Sequence, residues 1–293
     1  MKTSNVEVRR ARPLLGTIVE IRAASPECSR LHGAIDAAFD RIELVQHLMS
    51  YHEPESELSR LNNCAASGAQ RVDDHTYNVL TAAVHFARLS AGAFDPCVAD
   101  CLQGWGYLPA SISPPSRPVG ESRQPPAASW ADIELLSGQR VRFKRPMRLD
   151  LGGIAKGYAV DLATETLRGA NVHEIVVNAG GDMRVASTRT HYVHLRHPQT
   201  PAAAVNPIPL RNGALASSAP YFSRRASGRR QTSALLDPRT REPYVVNNSV
   251  SVRAQTCMAA DALTKVVLFA PVPIAERILD ECDAEAFVLQ GEM

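Results

Sequence analysis

The chain has no large excess of charge of either sign. Its 32 lysines and arginines face 30 aspartates and glutamates, for a formal net charge of +2 over 293 residues. That balance gives nucleic acid or a membrane surface no general attraction, so neither is expected as a partner. No apolar run approaches the ~18 residues that a spanning helix needs, so no membrane span is expected. The N-terminal stretch MKTSNVEVRRARPLLGTIVEIRA holds no signal-peptide core and no cysteine placed for lipoprotein cleavage, which makes a cytoplasmic location the default expectation. Cysteine pairs are scarce too. Of Cys28, Cys64, Cys97, Cys101, Cys257 and Cys282 only Cys97 and Cys101 are close, and no second pair completes a zinc set. The six are read as reduced and mostly buried.

What is present suits an ordinary globular chain. Hydrophobic content of 45% and charged content of 21% allow one large domain or two modest ones with ample core. The most informative stretch is LDLGGIAKGYAVD, Leu149 to Asp161. Asp150 closes a short apolar run, Gly152 and Gly153 follow, and Ala155, Lys156 and Gly157 open an apolar helical pattern. The pattern predicts a strand, a tight glycine turn and a helix start. Such a turn lets backbone approach a ligand closely, the helix start offers unpaired N–H groups to an anion, and Lys156 adds a charge suited to phosphate. A packing turn with a solvated lysine is the plain alternative.

Taken in order, β-branched LLGTIVEIRA (14–23) predicts a strand, and Leu31, Ile35, Phe39, Ile42, Val45 and Leu48 recur at helical spacing. A polar loop and short helical turn follow, with Ser56 and Asn62, and a helix from about Asp74 to Ser90. Phe94, Asp95 and Pro96 form a turn, and Trp105 and Tyr107 either line a planar ligand or belong to the core. Residues 109–129, with six prolines, read as an exposed insertion. Short strands are expected at 133–136, 141–143 and 147–151, and another at 175–177 leading into the glycine turn of NAGGD. His191, His194 and His197 tempt a metal assignment, but strand alternation turns His194 away from the other two. A turn is expected at Asn212-Gly213 and a hairpin at SRRASGRR, whose arginines 224, 225, 229 and 230 read as a solvated edge. VSVRAQ (250–255) is a strand, and Asp261 lies one turn into the helix that follows.

The motifs GTIVEIRA, MSYHEPESELSRLN, AGAFDPCVADCLQGWGY, DLGGIAKGYAVD, NAGGD, ASSAPYFSRR, LLDPRTREP and AADALTKVV resemble, in sequence and in order, the FAD:protein FMN transferases, or ApbE-like proteins. The resemblance implies a single α/β (α+β) unit over residues 13–293, with a mixed sheet-based core flanked by helices and a flexible lead at 1–12. It implies FAD as substrate, Mg²⁺, and transfer of FMN to a Thr or Ser hydroxyl of an acceptor flavoprotein with release of AMP. Carried onto matching positions, it implies a flavin site at Leu15, His52, Ala93, Phe94, Asp95, Asp150, Lys156 and backbone near Leu236. The cation would sit on Gly153 and on Asp261 with its helix neighbours Thr264 and Lys265, and Asp261 and Lys156 would carry the catalysis. The chemistry asks for such parts, because splitting a pyrophosphate requires neutralised phosphate oxygens and a hard cation selects oxygen ligands. A non-catalytic FAD-binding module and an FAD pyrophosphatase giving FMN and AMP are the alternatives.

Three positions depart from the implied pattern. The family's Ser-His-hydrophobic-hydrophobic-Asp-Pro reads here Ser233, Ala234, Leu235, Leu236, Asp237, Pro238, so a methyl replaces a histidine. The threonine four residues after the aspartate is Lys265, with Thr264 one step earlier. Either the Lys265 ammonium pairs with Asp261, an attraction of about 4 kcal/mol at ~4 Å and an effective dielectric of ~20, or Lys265 points to solvent and Thr264 is the ligand. The third is Ala219 after Ser217 and Ser218, where glycine is usual.

Overall fold

The computed structural model describes residues 6–26, 28–109, 127–199, 207–228 and 230–291. From 110 to 126 the proline-rich stretch lies outside the described residues, as does Arg229. Two strands open the chain, β1 (Val6–Leu14) and β2 (Thr17–Ser25), followed by helices α1 (Cys28–Met49) and α2 (Glu57–Cys64). Then come β3 (Gln70–Arg71), α3 (Asp74–Leu89), α4 (Ala99–Gly104), β4 (Ile133–Leu136), β5 (Arg140–Phe143) and α5 (Ala155–Gly169). The second half holds β6 (Glu174–Ala179), β7 (Asp182–Val193), β8 (Ile208–Ser218), β9 (Arg225–Ser227), β10 (Arg230–Thr232) and β11 (Asn248–Ala254). Helices α6 (Cys257–Phe269) and α7 (Val272–Glu281) and strand β12 (Glu285–Gln290) close it.

Among the described residues the main sheet has seven strands in the order β1-β2-β6-β7-β8-β11-β12, each pair antiparallel. Helices α1, α5 and α6 cover one face, and this α/β architecture is the one expected. The core forms where the alternation requires it. Val19, Ile21 and Ala23 of β2 meet Ile175, Val177 and Ala179 of β6 on the helix side. All six apolar residues of the expected α1 stripe are buried. Burial of each large one contributes about 1.5–3 kcal/mol. A smaller cluster, Val185, Leu195, Ile208, Leu210 and Leu215, covers the other face. Strands β3, β5 and β4 make a small separate sheet beside α3.

Three local expectations are corrected. Residues 6–12, expected as part of a flexible lead, are paired along β1 from Val6 opposite Ser25 to Leu14 opposite Thr17. An edge strand tolerates Pro13, and Arg9, Arg10 and Arg12 are held by Glu20 and Asp36. Leu14 therefore ends β1, and Leu15 and Gly16, at φ 55° and 70°, make the two-residue turn whose twist suits a hairpin. Asn212-Gly213 is no turn but the middle of β8. Asn212 Oδ1 accepts the Ser187 N–H at 3.1 Å where the β7–β8 register slips, and a β-carbon on Gly213 would lie 3.2 Å from the Ala254 carbonyl. Residues 147–151 are irregular, and side-chain bonds across the fold hold them in place of a strand ladder.

Cysteine burial is uneven. Cys97 and Cys257 are buried, Cys101 and Cys282 half-buried, and Cys64 is exposed. No helix among the described residues is long and apolar enough to cross a membrane.

Candidate active site

A cleft of about 910 Å³ opens where β2, the β6–β7 hairpin and β8 end against the start of α5 and the loops at 93–96, 150–153 and 234–238. Of the residues expected in the site, Ala93, Phe94, Asp95, Asp150, Gly153, Lys156, Leu236 and Lys265 line it. Leu15, His52, Asp261 and Thr264 stand behind or beside it. Leu15 faces α1, its N–H bonded to Gln46 Oε1 at 2.6 Å, while Thr17 and Ile18 of the same hairpin reach the cleft. The His52 side chain is close enough for its charge to act on Asp150.

The loop that carries Asp150 is fixed by groups distant in sequence. Asn62 accepts the Leu149 N–H at 2.8 Å and donates to the Leu149 carbonyl at 3.0 Å, clamping the backbone of that one residue at both ends. The Asp150 N–H donates to the Pro96 carbonyl at 2.8 Å, which ties this loop to the Phe94-Asp95-Pro96 turn. Asp95 in turn accepts the N–H groups of Cys97 at 2.8 Å and Trp130 at 3.2 Å. Burial raises the Asp95 carboxyl above the usual range, and these two N–H groups offset part of the rise. Burial raises Asp150 as well, against the Gly152 N–H and the charges of His52, Lys156 and Lys265.

Helix α5 begins without a side-chain cap, at Ile154. The cleft meets that beginning through Gly153 and Lys156. Lys156 Nζ donates to Asp182 Oδ2 and lies 3.8 Å from Asp261 Oδ2. Burial works against the lysine charge, but the two carboxylates outweigh it and push its pKa upward. Its side chain keeps 32% exposure, so the head remains reachable from the cleft. Asp261 is buried. Burial alone would raise its pKa, yet Lys156, Lys265 and the Gly157 N–H at 3.4 Å hold it below the usual range. Asp182 is pushed up by burial and by the nearby Asp261 charge.

The two alternatives for Lys265 are resolved by the geometry. Its Nζ donates to Asp261 Oδ1 and, at 3.0 Å, to the Asp261 carbonyl one helical turn back. Thr264 is buried, donating to the same carbonyl at 2.7 Å and meeting Ser218 Oγ at 2.7 Å. A β-carbon on Gly153 would lie 3.3 Å from Lys265 Cε and 3.8 Å from its Nζ. Magnesium requires oxygen ligands at about 2.1 Å in octahedral geometry. Here two of the expected ligand residues, Gly153 and Asp261, lie against the end of the Lys265 side chain, and the Thr264 hydroxyl is engaged elsewhere. The residues present do not fit a divalent ion in this corner.

Several contacts that sequence reasoning missed join elements far apart in the chain. Asp161 of α5 accepts the Cys257 and Met258 N–H groups at 2.8 and 2.9 Å, and Thr256 caps the Ala259 N–H, so the start of α6 is closed. No local pattern announces such a pair. Tyr107 does line the cleft, with its hydroxyl bonded to Thr232 at 2.8 Å and its ring under the Arg225 guanidinium at 3.7 Å. Arg225 is thus stacked yet exposed, as expected of a solvated edge, whereas Arg224 is half-buried and donates to the Val245 carbonyl at 2.7 Å. His191 engages Arg22 at 3.2 Å and Ser187 at 3.1 Å. Ala234 is exposed at the cleft wall, its N–H donated to Ser223 Oγ at 2.9 Å.

Comparison with known proteins places this geometry in a family. Residues 15–288 match the model of the ApbE family. The chain is 27% identical to an FAD:protein FMN transferase of Vibrio cholerae over 88% of this chain and 79% of that one. It is 33% identical to one of Rhodobacter capsulatus, over 85% of this chain but 49% of the longer relative. Among solved structures, the ApbE protein of Thermotoga maritima superposes with a TM-score of 0.81 at 25% identity, covering 97% of this chain and 94% of that one. The flavin transferase ApbE of Vibrio cholerae, at 23% identity and a TM-score of 0.77, shares the fold over 97% of this chain and 94% of that one.

Proposed function

This chain belongs to the ApbE family, and from that premise we propose that it is an FAD:protein FMN transferase. The FMN half of FAD goes to a threonine or serine hydroxyl of an acceptor flavoprotein, and AMP leaves. One observation carries the reading. Lys156, kept charged by Asp182 and Asp261, projects into a cleft of dinucleotide size beside the Gly152-Gly153 backbone and the start of α5, where Ile154 offers no side-chain cap. That corner suits a pyrophosphate, because it offers an ammonium and a helix N-terminus together.

In the transfer, the acceptor oxygen attacks the phosphorus that carries riboflavin. A new P–O ester bond forms, the anhydride P–O bond breaks, and its electron pair leaves on the AMP phosphate. Lys156 stabilises the charge that develops on the phosphate oxygens. Asp261 touches no substrate in this reading and acts as a positioning residue, holding both lysines. The hydroxyl proton needs a base. With Ala234 offering only a methyl, the base falls to a cleft carboxylate. Asp150 lines the cleft, is raised by burial and lies within reach of the Lys156 and Lys265 charges, and is the carboxylate we assign to that role.

Ala234 also favours a second reading, a module that binds FAD and presents it without catalysis. Nucleotide chromatography separates the readings after incubation with FAD and with acceptor flavoproteins bearing exposed Thr or Ser. AMP without free FMN means transfer. AMP with equal free FMN means hydrolysis. Unchanged FAD that stays bound means a carrier and contradicts the transferase.

A further inference from the structure

We propose that the Lys265 ammonium takes the place of a divalent cation at the pyrophosphate corner, so that this chain binds its dinucleotide without metal. The inference rests on the reading of the cleft as an FAD site and goes beyond it. Its basis is one juxtaposition. The two residues where a cation is expected, Gly153 and Asp261, are both against the same lysine head. Lys265 Nζ donates to the Asp261 carboxylate and, at 3.0 Å, to its carbonyl, and its Cε lies 3.3 Å from where a β-carbon on Gly153 would stand.

The lysine is also built in. Helical spacing sets Lys265 one turn after Asp261, which brings the two side chains to one face. Its side chain is 15% exposed and lines the cleft, so the charge is oriented inward, not into bulk solvent. The Thr264 hydroxyl, the other side-chain oxygen expected as a cation ligand, is bonded to Ser218 and to the Asp261 carbonyl. Phe94 also lies against Gly153, with a ring carbon 3.6 Å from where a β-carbon would stand, and narrows the same space.

Charge makes the substitution workable. The Asp182 and Asp261 carboxylates are paired with the Lys156 and Lys265 ammonium groups, and Asp150 is a further carboxylate lining the same corner. A divalent ion added to this set would be repelled by two ammonium groups at close range. A pyrophosphate oxygen meets the opposite situation. It finds two ammonium heads oriented by carboxylates and a short stretch of glycine backbone.

The test is equilibrium binding of FAD to the intact chain, followed by flavin fluorescence in EDTA and in excess Mg²⁺, with Mn²⁺ binding read separately by electron paramagnetic resonance. The expected result is FAD affinity equal within about twofold in the two conditions and no Mn²⁺ held by the wild-type chain. Lys265→Thr is expected to lose at least tenfold in FAD affinity in EDTA, to recover it with Mg²⁺, and to hold one Mn²⁺. If that variant does not fold, the wild-type measurements still decide. FAD binding that drops tenfold or more in EDTA, or one tightly held Mn²⁺ per wild-type chain, overturns the proposal and leaves the flavin site standing. Absence of saturable FAD binding in both conditions overturns the flavin reading and the proposal with it.

Discussion

Gly157 of α5 lies directly against Cys257 of α6: a β-carbon added to the glycine would stand 2.3 Å from the Cys257 carbonyl oxygen and 2.8 Å from the Met258 α-carbon. Those neighbours are backbone, which cannot swing aside as a side chain can. The glycine is therefore required by helix crossing. The crossing matters to the site because Lys156 sits one residue before it and Asp261 four residues after Cys257. Gly157→Ala is expected to cost about 2–3 kcal/mol of stability, measured by chemical denaturation, and to weaken FAD binding. A variant within about 0.5 kcal/mol of wild type would show that the helices can separate freely.

The same junction depends on Asp161. Its carboxylate caps two N–H groups at the start of α6 and pairs with Arg184 at 3.0 Å. Asp161→Ala leaves those donors without their acceptor and takes from the mostly buried Arg184 guanidinium one of its carboxylate partners, Glu165 at 3.0 Å remaining, at an expected cost of about 3 kcal/mol. Asp161→Asn retains an acceptor and is expected to recover part of the loss. Denaturation midpoints of the two variants, compared at one pH, check the order.

Much of this was legible from the chain, and the gaps have physical causes. The apolar stripe of α1 and the glycine turn after β6 follow from local periodicity and turn chemistry, and the order of motifs identifies the family. The Asp161 cap and the Asn62 clamp join residues 96 and 87 positions apart, and nothing near either partner signals the other. Asn212-Gly213 carries a strong turn signal, but close approach of β11 and a register slip use it inside a strand. Lys265 stood between two rotamer choices that only the placement of Asp261 and Gly153 decides.

Glu174 on β6 sets an acid limit on stability. Burial works against its charge, but the Ser187 and Thr188 hydroxyls, the Thr188 N–H and Arg189 hold its pKa down to about 2. The folded pKa is below the unfolded value, so its contribution is complete above the unfolded pKa of about 4.3. It is lost as pH falls through the folded value of about 2. Glu174→Gln is expected to lower the denaturation midpoint at pH 7 and to flatten the pH dependence below about 4.3. A variant whose midpoint falls with acid as steeply as wild type would assign the acid sensitivity to another carboxylate.

Ala234 tests the reacting end. The residue is exposed, so Ala234→His is expected to change stability by no more than about 0.5 kcal/mol. An imidazole there gives the cleft a proton acceptor matched to neutral pH, and a well-placed base contributes about 10²-fold or more. The expected outcome is faster transfer at unchanged FAD affinity. Equal rates would mean that a cleft carboxylate already suffices.

The central claim is that this cleft moves FMN onto a protein hydroxyl. Mass spectrometry tests it most directly, on an acceptor flavoprotein incubated with FAD and the wild-type chain and then digested. The account predicts FMN joined through a phosphoester to one threonine or serine, with AMP released in equal amount. An acceptor left unmodified by the wild-type chain and by Ala234→His alike, with FAD bound throughout, would contradict it.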